Sequence, residues 1–460
     1  MNVIEMFEDA EKEFWTLKIK GINYWHIVRM SVFELVQGKG EHIGQAHPDH
    51  NLKMSFEEKV RVGFLFLVNS LFRHPLVRFK KKKNYFIVCV PRKTLYKGRY
   101  ICTTMEPVLE SLKGEYNYLE RPSDFRHKKD IGRRCLAYSD YMEIKRLINL
   151  KKKTYFLNEE EKNIVKRQVG ILNKKLGTTL TEAEVIDCVN RSLTGYFTYY
   201  NEYKKILRKY RPKYIVETTH YETAKLSLNV AAHEMGIKVF ELQHGVMNIQ
   251  YNIPQKDDFI PDEVLTFGEY WNQTTCYPGK MVAIGNPHLE ECVTTMKTIK
   301  YFPTILILSQ GPVGEALVKL AIELKKLVRK KGISARIIYK LHPNEYISWK
   351  KIYPELVDSE IEVVDNNEKD LYYYFSISTH QIGVFSTAIY EGMAFGVKTI
   401  IYKTYRYETM NDIIEAGYAK LAEDGNSVLN EIMNKEEQKV PTEMIWKSNA
   451  LSNLKKELLG

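Results

Sequence analysis

Cysteine is scarce and scattered in this chain of 460 residues. No two of the six cysteines form a Cys-x-x-Cys pair; they are Cys89, Cys102, Cys135, Cys188, Cys276 and Cys292. Disulfide frameworks and structural zinc sites both rely on regularly spaced cysteines. The scattered pattern therefore argues against either kind of site and favours reduced thiols, as in the cytoplasm.

The chain also lacks a long apolar run. The first twelve residues are acidic and contain no apolar segment of the kind found in secretion signals. No uninterrupted apolar stretch is long enough to cross a bilayer. We therefore predict a cytoplasmic protein, with peripheral attachment to the inner face of the cell membrane as the alternative.

Several sequence motifs of well-known enzyme classes are missing. There is no G-x-x-x-x-G-K-[ST] loop, which argues against a P-loop NTPase, and no G-x-G-x-x-G after a strand, which argues against a dinucleotide oxidoreductase. The G-x-S-x-G elbow of hydrolases is absent as well. No Asp-x-Asp pair follows a strand, and Asp257 and Asp258 are adjacent in a predicted loop. We therefore predict metal-independent chemistry without a cofactor.

Acidic residues are outnumbered by basic ones. The chain carries 68 Lys and Arg against 57 Asp and Glu, a net charge of +11 and a pI of about 9.0. Such a surplus favours anionic partners, including nucleotides, phospholipid headgroups and acidic polymers. Because no RNA-recognition signature, zinc-finger spacing or arginine-rich tail is present, we predict that nucleic acid is not a partner.

Strands and helices alternate in two separate stretches of the sequence. Predicted strands lie at 85–91, 116–119, 214–216, 239–242 and 263–267, and then at 304–308, 335–341, 361–364 and 397–401. Residues 291–303 are predicted to form a connector. Alternation of this kind is typical of parallel sheets covered by helices on both faces.

The 44% hydrophobic content is enough for two or three domains with their own cores. The fold class predicted is α/β, with two doubly wound Rossmann-like domains facing a cleft and an N-terminal helical extension. The predicted domains are 1–84 (the helical extension), 85–290 (acceptor side), 303–435 (nucleotide side) and 436–460 (a helical tail).

Residues 60–83 combine apolar and basic residues. An apolar run, 62–68, is followed by Pro75 and then by Lys80–Lys83. The segment is too short to span a bilayer, but it has the composition of a segment that lies in a membrane interface with lysines on anionic lipid. The alternative is a buried helix followed by a solvated run of charges.

The stretch 383–396 predicts the end of a strand or a tight turn, followed by a Ser/Thr pair, a short helix and a terminating glycine. Ser386 or Thr387 suits the N-cap, because a short hydroxyl accepts a hydrogen bond from the first helical turn. A helix N-terminus with free N–H groups binds anions. Glu391, about one turn further on, could accept sugar hydroxyls. The alternative is an ordinary, well-capped βα unit.

Two further strand ends in the second half carry polar residues. Lys340, His342 and Pro343 end an apolar strand, and Ser309 and Gln310 follow another. Ligands of open α/β sheets bind beyond the carboxyl ends of strands, and a proline there ends the strand so that the histidine lies in a loop. Together with the 383–396 turn, these residues predict a site for a nucleotide phosphate and ribose.

Strand ends in the first half supply candidates for acid–base chemistry. They are Glu217, His220 and Glu222 after one strand, and Gln243, His244 and Gly245 after the next. Histidine, with a pKa of about 6.5, suits proton abstraction near neutrality. Either glutamate could do the same or orient the imidazole. The alternative for each residue is hydrogen bonding within its own loop.

In their order along the chain, these motifs resemble a known family. Glu-Leu-Gln-His-Gly in the first half, with Leu-His-Pro and Phe-Ser-Thr-x-x-x-Glu-x-x-x-x-Gly in the second, looks like bacterial GT-B glycosyltransferases of surface-polysaccharide synthesis. Polysialyltransferases and CDP-glycerol glycerophosphotransferases are similar over roughly residues 85–425. The acidic-acidic-Gly motif of the former is not evident, and Gln243 replaces the tryptophan of the latter.

The resemblance implies that the second domain holds a nucleotide sugar, with a cytidine donor favoured. His342 and Pro343 would match the family's His-Pro motif, and Ser386 and Thr387 its Ser/Thr motif, both on the phosphate, with Glu391 on the ribose. The partners implied are this donor and a glycan or lipid-linked glycan acceptor.

On the acceptor side, the resemblance implies that His244 is the base, and the strand-end carboxylates Glu217 and Glu222 are the alternatives. His220, Gln243 and Gly245 would lie beside the acceptor. Three other functions remain open: a CDP-glycerol-type polyol-phosphate transferase, a nucleotide-sugar 2-epimerase, and a non-catalytic scaffold associated with the membrane.

Overall fold

The computed structural model describes residues 3–39, 55–89, 93–96, 98–122, 126–128, 135–297 and 303–460. The chain forms two compact units. Unit 1 contains the described residues up to Ile284 together with Leu451–Gly460, and unit 2 contains those of Gly285–Ala450. The domain boundaries predicted from the sequence stay predictions.

Unit 1 contains nine strands and eleven helices within the described residues. The strands are β1 (Tyr85–Cys89), β2 (Lys93–Tyr96), β3 (Arg99–Cys102), β4 (Tyr116–Glu120), β5 (Leu136–Tyr138), β6 (Tyr214–Glu217), β7 (Lys238–Leu242), β8 (Glu263–Thr266) and β9 (Lys280–Ala283). The helices are α1 (Val3–Glu11), α2 (Trp25–Lys39), α3 (Phe56–Phe72), α4 (Pro75–Arg78), α5 (Glu106–Ser111), α6 (Asp140–Lys151), α7 (Glu159–Leu176), α8 (Glu182–Tyr210), α9 (Thr223–His233), α10 (Glu269–Thr274) and, at the C-terminal end of the chain, α19 (Ala450–Leu459).

A seven-stranded parallel sheet forms the centre of unit 1. Its strand order is β5-β4-β1-β6-β7-β8-β9. All five residues of β1 are buried, as expected of a strand covered by helices on both faces. The chain moves outward from β1 to β4 and β5, and then returns to the other side of β1 as β6. The sheet is therefore doubly wound, with its switch point between β1 and β6.

The helices before β1 confirm the predicted N-terminal helical extension. Helices α1 and α2 share a core with α7 and α8, built around aromatic side chains such as Phe7 and Trp25. The buried Glu11 carboxylate accepts hydrogen bonds from Arg29 Nε at 2.8 Å and Trp25 Nε1 at 2.7 Å. This pairing compensates the desolvation of both charges.

Unit 2 contains a second doubly wound sheet. Its strands are β10 (Thr304–Leu308), β11 (Arg336–Lys340), β12 (Glu362–Val364), β13 (His380–Gly383), β14 (Lys398–Tyr402) and β15 (Lys420–Ala422). Its helices are α11 (Pro287–Thr295), α12 (Gly314–Lys330), α13 (Trp349–Ile352), α14 (Leu371–Ile377), α15 (Thr387–Ala394), α16 (Asn411–Glu415), α17 (Gly425–Met433) and α18 (Thr442–Ile445). All pairs are parallel in the order β12-β11-β10-β13-β14-β15, so the switch point lies between β10 and β13.

The predicted α/β class with two Rossmann-like sheets is confirmed, and the predicted strands lie within two residues of the observed ones. The connector predicted for 291–303 is partly wrong, because α11 covers Pro287–Thr295. Asn286 caps this helix by accepting a hydrogen bond from Leu289 N at 3.2 Å, and Pro287 suits the first helical turn. Residues 298–302 of the predicted connector lie outside the described part of the chain.

The segment 60–83 forms α3 and α4. The buried-helix alternative is wrong, because Phe66 is the only buried residue of α3. None of the helices in the described ranges is both long and apolar enough to cross a membrane.

Gly314, at the start of α12, offers a test of packing in unit 2. A Cβ at this position would overlap the Tyr353 hydroxyl, which is already held by a hydrogen bond of 2.6 Å to Glu345 Oε1. We expect Gly314→Ala to lower the free energy of unfolding of unit 2 by about 1–3 kcal/mol, measured by urea denaturation with hydrogen exchange of β10 and β11 amides. As a control, Gly170→Ala in α7 meets no atom within 4 Å and should be neutral or stabilising. Equal effects of the two substitutions would contradict this account.

Candidate functional site

The carboxyl end of the unit 2 sheet brings together three of the predicted strand ends. Gln310 follows β10, His342 follows β11, and Ser386 follows β13, and these three strands are neighbours. Gln310 and Ser386 flank the switch point, where doubly wound sheets bind ligands. Parallel pairing thus brings residues from distant parts of the sequence to one edge.

The turn from β13 into α15 has the predicted form. Ser386 is the N-cap, and its Oγ accepts a hydrogen bond from Ala388 N at 3.3 Å. A Cβ on Gly383 would meet the Ile389 side chain at 3.0 Å, so a glycine here lets the helix lie close to the strand. Thr387 is the first helical residue and, like Ser386, is partly exposed. The positive end of α15 therefore lies at the sheet edge.

Arg406 brings a cation to the same turn, and it belongs to no recognisable sequence motif. It lies in the loop after β14, with a left-handed φ of 66°. Its guanidinium carbon lies 5.1 Å from the ring centroid of Phe385, the residue before Ser386. The one feature of the sequence that could have pointed to Arg406 is its position a few residues beyond the predicted strand 397–401. A helix N-terminus and a guanidinium at one turn form an environment that suits an anion.

Gln310 contributes a polar atom to the switch point. Its Oε1 is buried and accepts no hydrogen bond from the described part of the chain. A buried polar atom without a partner is costly, so it commonly marks a place where a ligand or a water completes the structure.

Glu391 lies one turn into α15. Burial raises the pKa of its carboxyl to about 7, although the Tyr372 hydroxyl donates a hydrogen bond to Oε1 at 3.3 Å. The side chain is only partly buried by its surface area. Near neutrality this carboxyl can therefore either donate or accept a hydrogen bond.

His342 is exposed and held by its own loop. Its Nδ1 accepts a hydrogen bond from Asn344 N at 3.3 Å, and its backbone N donates to Glu345 Oε2 at 2.7 Å. Because Nδ1 is an acceptor, the neutral ring carries its proton on Nε2, the tautomer that can donate to a phosphate oxygen. Pro343, also exposed, begins the short turn that follows.

Glu345 organises the two loops beside the switch point, and sequence reasoning missed it. Its Oε1 accepts hydrogen bonds from Ser309 Oγ at 3.0 Å and from Tyr353 at 2.6 Å. The Tyr339 hydroxyl in turn donates to Ser309 Oγ at 3.2 Å. Ser309, predicted to belong to the nucleotide site, thus uses its hydroxyl to tie the β10 and β11 loops together.

Lys340 is directed away from the α15 turn. It donates hydrogen bonds to the Tyr346 hydroxyl and, at 3.5 Å, to the Asn366 carbonyl, which follows β12 on the far side of β11. Burial lowers the pKa of its ammonium to about 8. The structure therefore does not bring Lys340 together with Ser386 and Arg406.

In unit 1, a buried lysine beside a buried carboxyl bridges the switch point between β1 and β6. Lys225 Nζ donates to the carbonyls of Val88 at 2.5 Å and Thr218 at 3.0 Å, and lies 4.0 Å from Glu217 Oε2. Burial raises the pKa of Glu217 to about 8, although the charge of Lys225 acts in the opposite direction. Glu217 therefore holds a proton near neutrality. Lys225 belongs to no motif that the sequence displays.

A buried carboxylate–imidazole pair, Glu241 with His220, stands on the next strand. His220 Nδ1 lies 2.6 Å from Glu241 Oε2, and Oε1 accepts hydrogen bonds from His220 N at 3.1 Å and the Tyr251 hydroxyl at 2.9 Å. Burial raises the pKa of Glu241, but the charge and hydrogen bonds of His220 outweigh it and hold this pKa below its ordinary value. Glu241 was missed because it stands within a predicted strand.

The loop after β6 carries backbone strain. Thr219 has a φ of 58°, which is unusual for a β-branched residue. Its hydroxyl donates to Glu222 Oε1 at 3.0 Å, and Glu222 Oε2 accepts from Arg121 Nη1 at 2.6 Å. Strain of this kind clusters at functional sites. The Glu222 carboxylate is therefore fixed in position by its hydrogen bonds from Thr219 and Arg121.

His244 follows β7 and is partly exposed. Its Nε2 lies 3.3 Å from the Tyr221 hydroxyl, so the loops after β6 and β7 meet at this pair. Gln243 is buried, donating to the Gly245 carbonyl at 2.9 Å and accepting from Phe267 N at 2.7 Å. Gln243 and Gly245 therefore shape the loop that presents His244.

Within the described residues, no group of three or more His, Cys, Asp and Glu side chains is arranged to hold a metal ion. Metal-independent chemistry stays a prediction.

No protein-family model and no curated protein sequence matches the chain. Among solved structures, it is similar to the UDP-GlcNAc 2-epimerase from Methanocaldococcus jannaschii (11% identity, TM-score 0.46, covering 82% of this chain and 99% of that one). The UDP-GlcNAc 2-epimerase from Neisseria meningitidis bound to UDP-GlcNAc is similar at 14% identity and TM-score 0.46, with the same coverage of 82% and 99%. MurG from Acinetobacter baumannii is similar at 12% identity and TM-score 0.45, again covering 82% and 99%. These likenesses are distant, and the fold assignment rests on the strand order of the two sheets.

The opposite pKa shifts of Glu217 and Glu241 predict opposite pH dependence of stability. Between about pH 4.5 and about pH 8, Glu217 is ionised in the unfolded chain and protonated in the folded one, so its contribution to stability falls as pH rises. Glutamine cannot ionise. We expect the stability of Glu217→Gln relative to the wild type to rise by about 1 kcal/mol per pH unit across this window, measured by urea denaturation of unit 1.

Glu241→Gln is the matched control. The lowered pKa of Glu241 stabilises the fold above its unfolded pKa and loses this effect as pH falls. We therefore expect Glu241→Gln to be less stable than the wild type at neutral pH, by an amount that shrinks in acid. A pH-independent difference between Glu217→Gln and the wild type would contradict the assignment of a buried, protonated carboxyl.

Proposed function

We propose that the protein is a metal-independent glycosyltransferase that moves a sugar from a nucleotide-activated donor to a growing bacterial surface glycan. The observation that carries this proposal is the switch point of unit 2, where the N-terminus of α15, capped by Ser386, and the guanidinium beside Phe385 meet at one turn. That combination suits the phosphates of a nucleotide sugar.

In this proposal the nucleotide phosphates bind at the α15 turn. The N–H groups of the first turn and Arg406 contact the phosphate oxygens, and His342 donates from Nε2. Ser386 and Thr387 add hydroxyl donors, and Gln310 Oε1 accepts from a ligand hydroxyl or base. These donors are held by the fold before the ligand arrives, so they stabilise the charge that develops on the leaving nucleotide.

Glu391 is assigned to the ribose. A carboxyl with a pKa of about 7 can accept a hydrogen bond from one ribose hydroxyl and, when protonated, donate one itself. The cytidine preference rests on the family resemblance of the His-Pro and Ser/Thr motifs.

The proposed base is His244 of unit 1. His244 and Glu222 are both partly exposed, but Glu222 is held by Arg121, and Glu217 is buried and protonated. The imidazole removes the proton of an acceptor hydroxyl as that oxygen attacks the anomeric carbon, and the bond from that carbon to the donor phosphate breaks. The acceptor is a glycan or lipid-linked glycan.

One observation favours a second candidate, a nucleotide-sugar 2-epimerase. Such an enzyme removes a proton from carbon and returns it, so it needs an acid and a base in one site. The protonated Glu217 and the Glu241–His220 pair stand on the neighbouring strands β6 and β7. An epimerase would consume donor with no acceptor present.

A cytoplasmic location completes the proposal. The described residues include all six cysteines, and none of them forms a disulfide. This supports a reducing compartment, in which nucleotide sugars are available as donors.

The nucleotide site is tested by binding. Purified protein is screened by thermal shift against CMP, CDP, UDP, GDP and dTDP, and a nucleotide at 100 times its Kd should stabilise the fold by about 2.7 kcal/mol. We expect Arg406→Gln to weaken binding by ten- to a hundredfold, since a charge-assisted hydrogen bond contributes about 1.5–3 kcal/mol. Arg336→Gln is the matched control, because Arg336 begins β11 at the opposite edge of the same sheet. If no nucleotide stabilises the wild type, the nucleotide site is wrong and the scaffold function takes precedence.

The base is tested by turnover. His244→Asn should lower sugar transfer by about 10²–10⁴-fold while nucleotide affinity is unchanged, because a general base acts on the acceptor. His233→Asn, at the C-terminal end of α9, is the control and should retain transfer. Donor consumption without acceptor would identify the epimerase, and turnover of CDP-glycerol but no CMP-sugar would identify the polyol-phosphate transferase.

A further inference from the structure

Helix α3 presents a continuous apolar stripe to solvent. The stripe consists of Phe56, Val60, Phe64, Leu67 and Leu71, and the exposed fractions of these five side chains range from 56% to 81%. At 100° per residue this spacing keeps all five on one side of the helix. Two further apolar residues of the helix, Leu65 and Phe72, are exposed at 42% and 69%. A contiguous apolar surface on this scale marks an interaction site.

The opposite side of α3 is attached to unit 1. Phe66 is buried, and Asn69 Nδ2 donates a hydrogen bond of 2.9 Å to Asp140 Oδ1 at the start of α6. After the helix ends, the Arg73 carbonyl accepts from Tyr138 N at 2.8 Å, and its guanidinium lies 5.4 Å from the Tyr138 ring centroid. These contacts attach one side of α3 to unit 1, so the stripe on the other side faces solvent.

Basic residues surround the stripe. Residues 56–83 contain eight Lys and Arg against two acidic residues, Glu57 and Glu58. Glu58 is engaged in the N-terminal capping box with Ser55. Arg73, Arg78 and Lys83 contact the protein, whereas Lys59, Arg61 and Lys80–Lys82 are exposed. Leu76 and Val77 of α4, both 47% exposed, continue the apolar surface up to the lysine run.

We propose that this stripe and the lysine run form a docking surface for an anionic lipid bilayer. The apolar side chains enter the boundary between headgroups and acyl chains, and the exposed cations contact anionic headgroups. A second copy of the chain is a poorer fit, because it would bring the same basic residues against one another. The helix has 17 residues, about 25 Å at 1.5 Å per residue, and one side is attached to the protein, so it lies along the membrane surface.

This surface is independent of the proposed nucleotide site. Attachment would keep the protein at the membrane, where a lipid-linked acceptor resides. A protein that binds nucleotide but no vesicle would therefore disprove the docking surface alone.

The test is flotation of the full chain with vesicles of 70% phosphatidylcholine and 30% phosphatidylglycerol, compared with pure phosphatidylcholine vesicles. We expect the wild type to float with the anionic vesicles, and its binding to weaken as salt increases. Phe64→Ser with Leu67→Ser should lower the partition coefficient at least tenfold. Both residues are exposed, so folding and nucleotide stabilisation should be unchanged. The matched control is Leu147→Ser with Ile347→Ser, which removes exposed apolar side chains from α6 and from unit 2.

The electrostatic part is tested by the triple variant Lys80→Gln, Lys81→Gln and Lys82→Gln. It should bind the anionic vesicles about a hundredfold more weakly at low salt. The triple variant Lys326→Gln, Arg329→Gln and Lys330→Gln removes the same charge from α12 and should bind like the wild type. Equal flotation of the stripe variant and the wild type would overturn the proposal. So would a wild-type dimer that ignores vesicles and dissociates on Phe64→Ser with Leu67→Ser, since the occupant would then be a second copy.

Discussion

Parallel strand pairing is the constraint on which the rest of the structure depends. In both sheets every pair is parallel, so all carboxyl ends point to one edge and all amino ends to the other. Parallel neighbours also need a crossover, which covers each face with helices and buries the strands. Because each chain path reverses once, between β1 and β6 and between β10 and β13, each unit has one switch point where loops diverge.

Burying polar groups at these sheet edges lowers the stability of the fold. Glu217, Glu241 and Lys340 all lose solvation, and the fold compensates each loss differently. Glu217 takes up a proton beside Lys225, and Glu241 is hydrogen-bonded to the imidazole of His220. Lys340 donates hydrogen bonds to the Tyr346 hydroxyl and to carbonyls. A stable core would be simpler with apolar residues at these positions. Their concentration at the strand ends, together with the strained Thr219, is typical of sites that sacrifice stability for function.

Much of the fold could be predicted from local patterns. Apolar runs such as 304–308 and 335–341 are strands because parallel strands are buried on both faces, and Ser386 caps α15 because its hydroxyl reaches the first helical turn. Helix α11 is hard to predict from local signals, because Asn286 and Pro287 suit a turn as well as the first turn of a helix. The short edge strands β5 and β9 carried too few residues for a periodic pattern.

The sequence by itself determined the two parallel sheets, the order of their strand ends along the chain and the capped turn at Ser386, since these follow from periodicity and local hydrogen bonding. Only the tertiary structure decided which side chains share a site. It put Arg406 beside Phe385, Glu241 against His220, Lys225 between β1 and β6, and turned Lys340 away toward Asn366. It also decided that the apolar stripe of α3 faces solvent. The reason is that neighbours in a sheet are set by strand order and helix packing, which join residues far apart in sequence, whereas a sequence pattern reports only on residues within a few positions of one another.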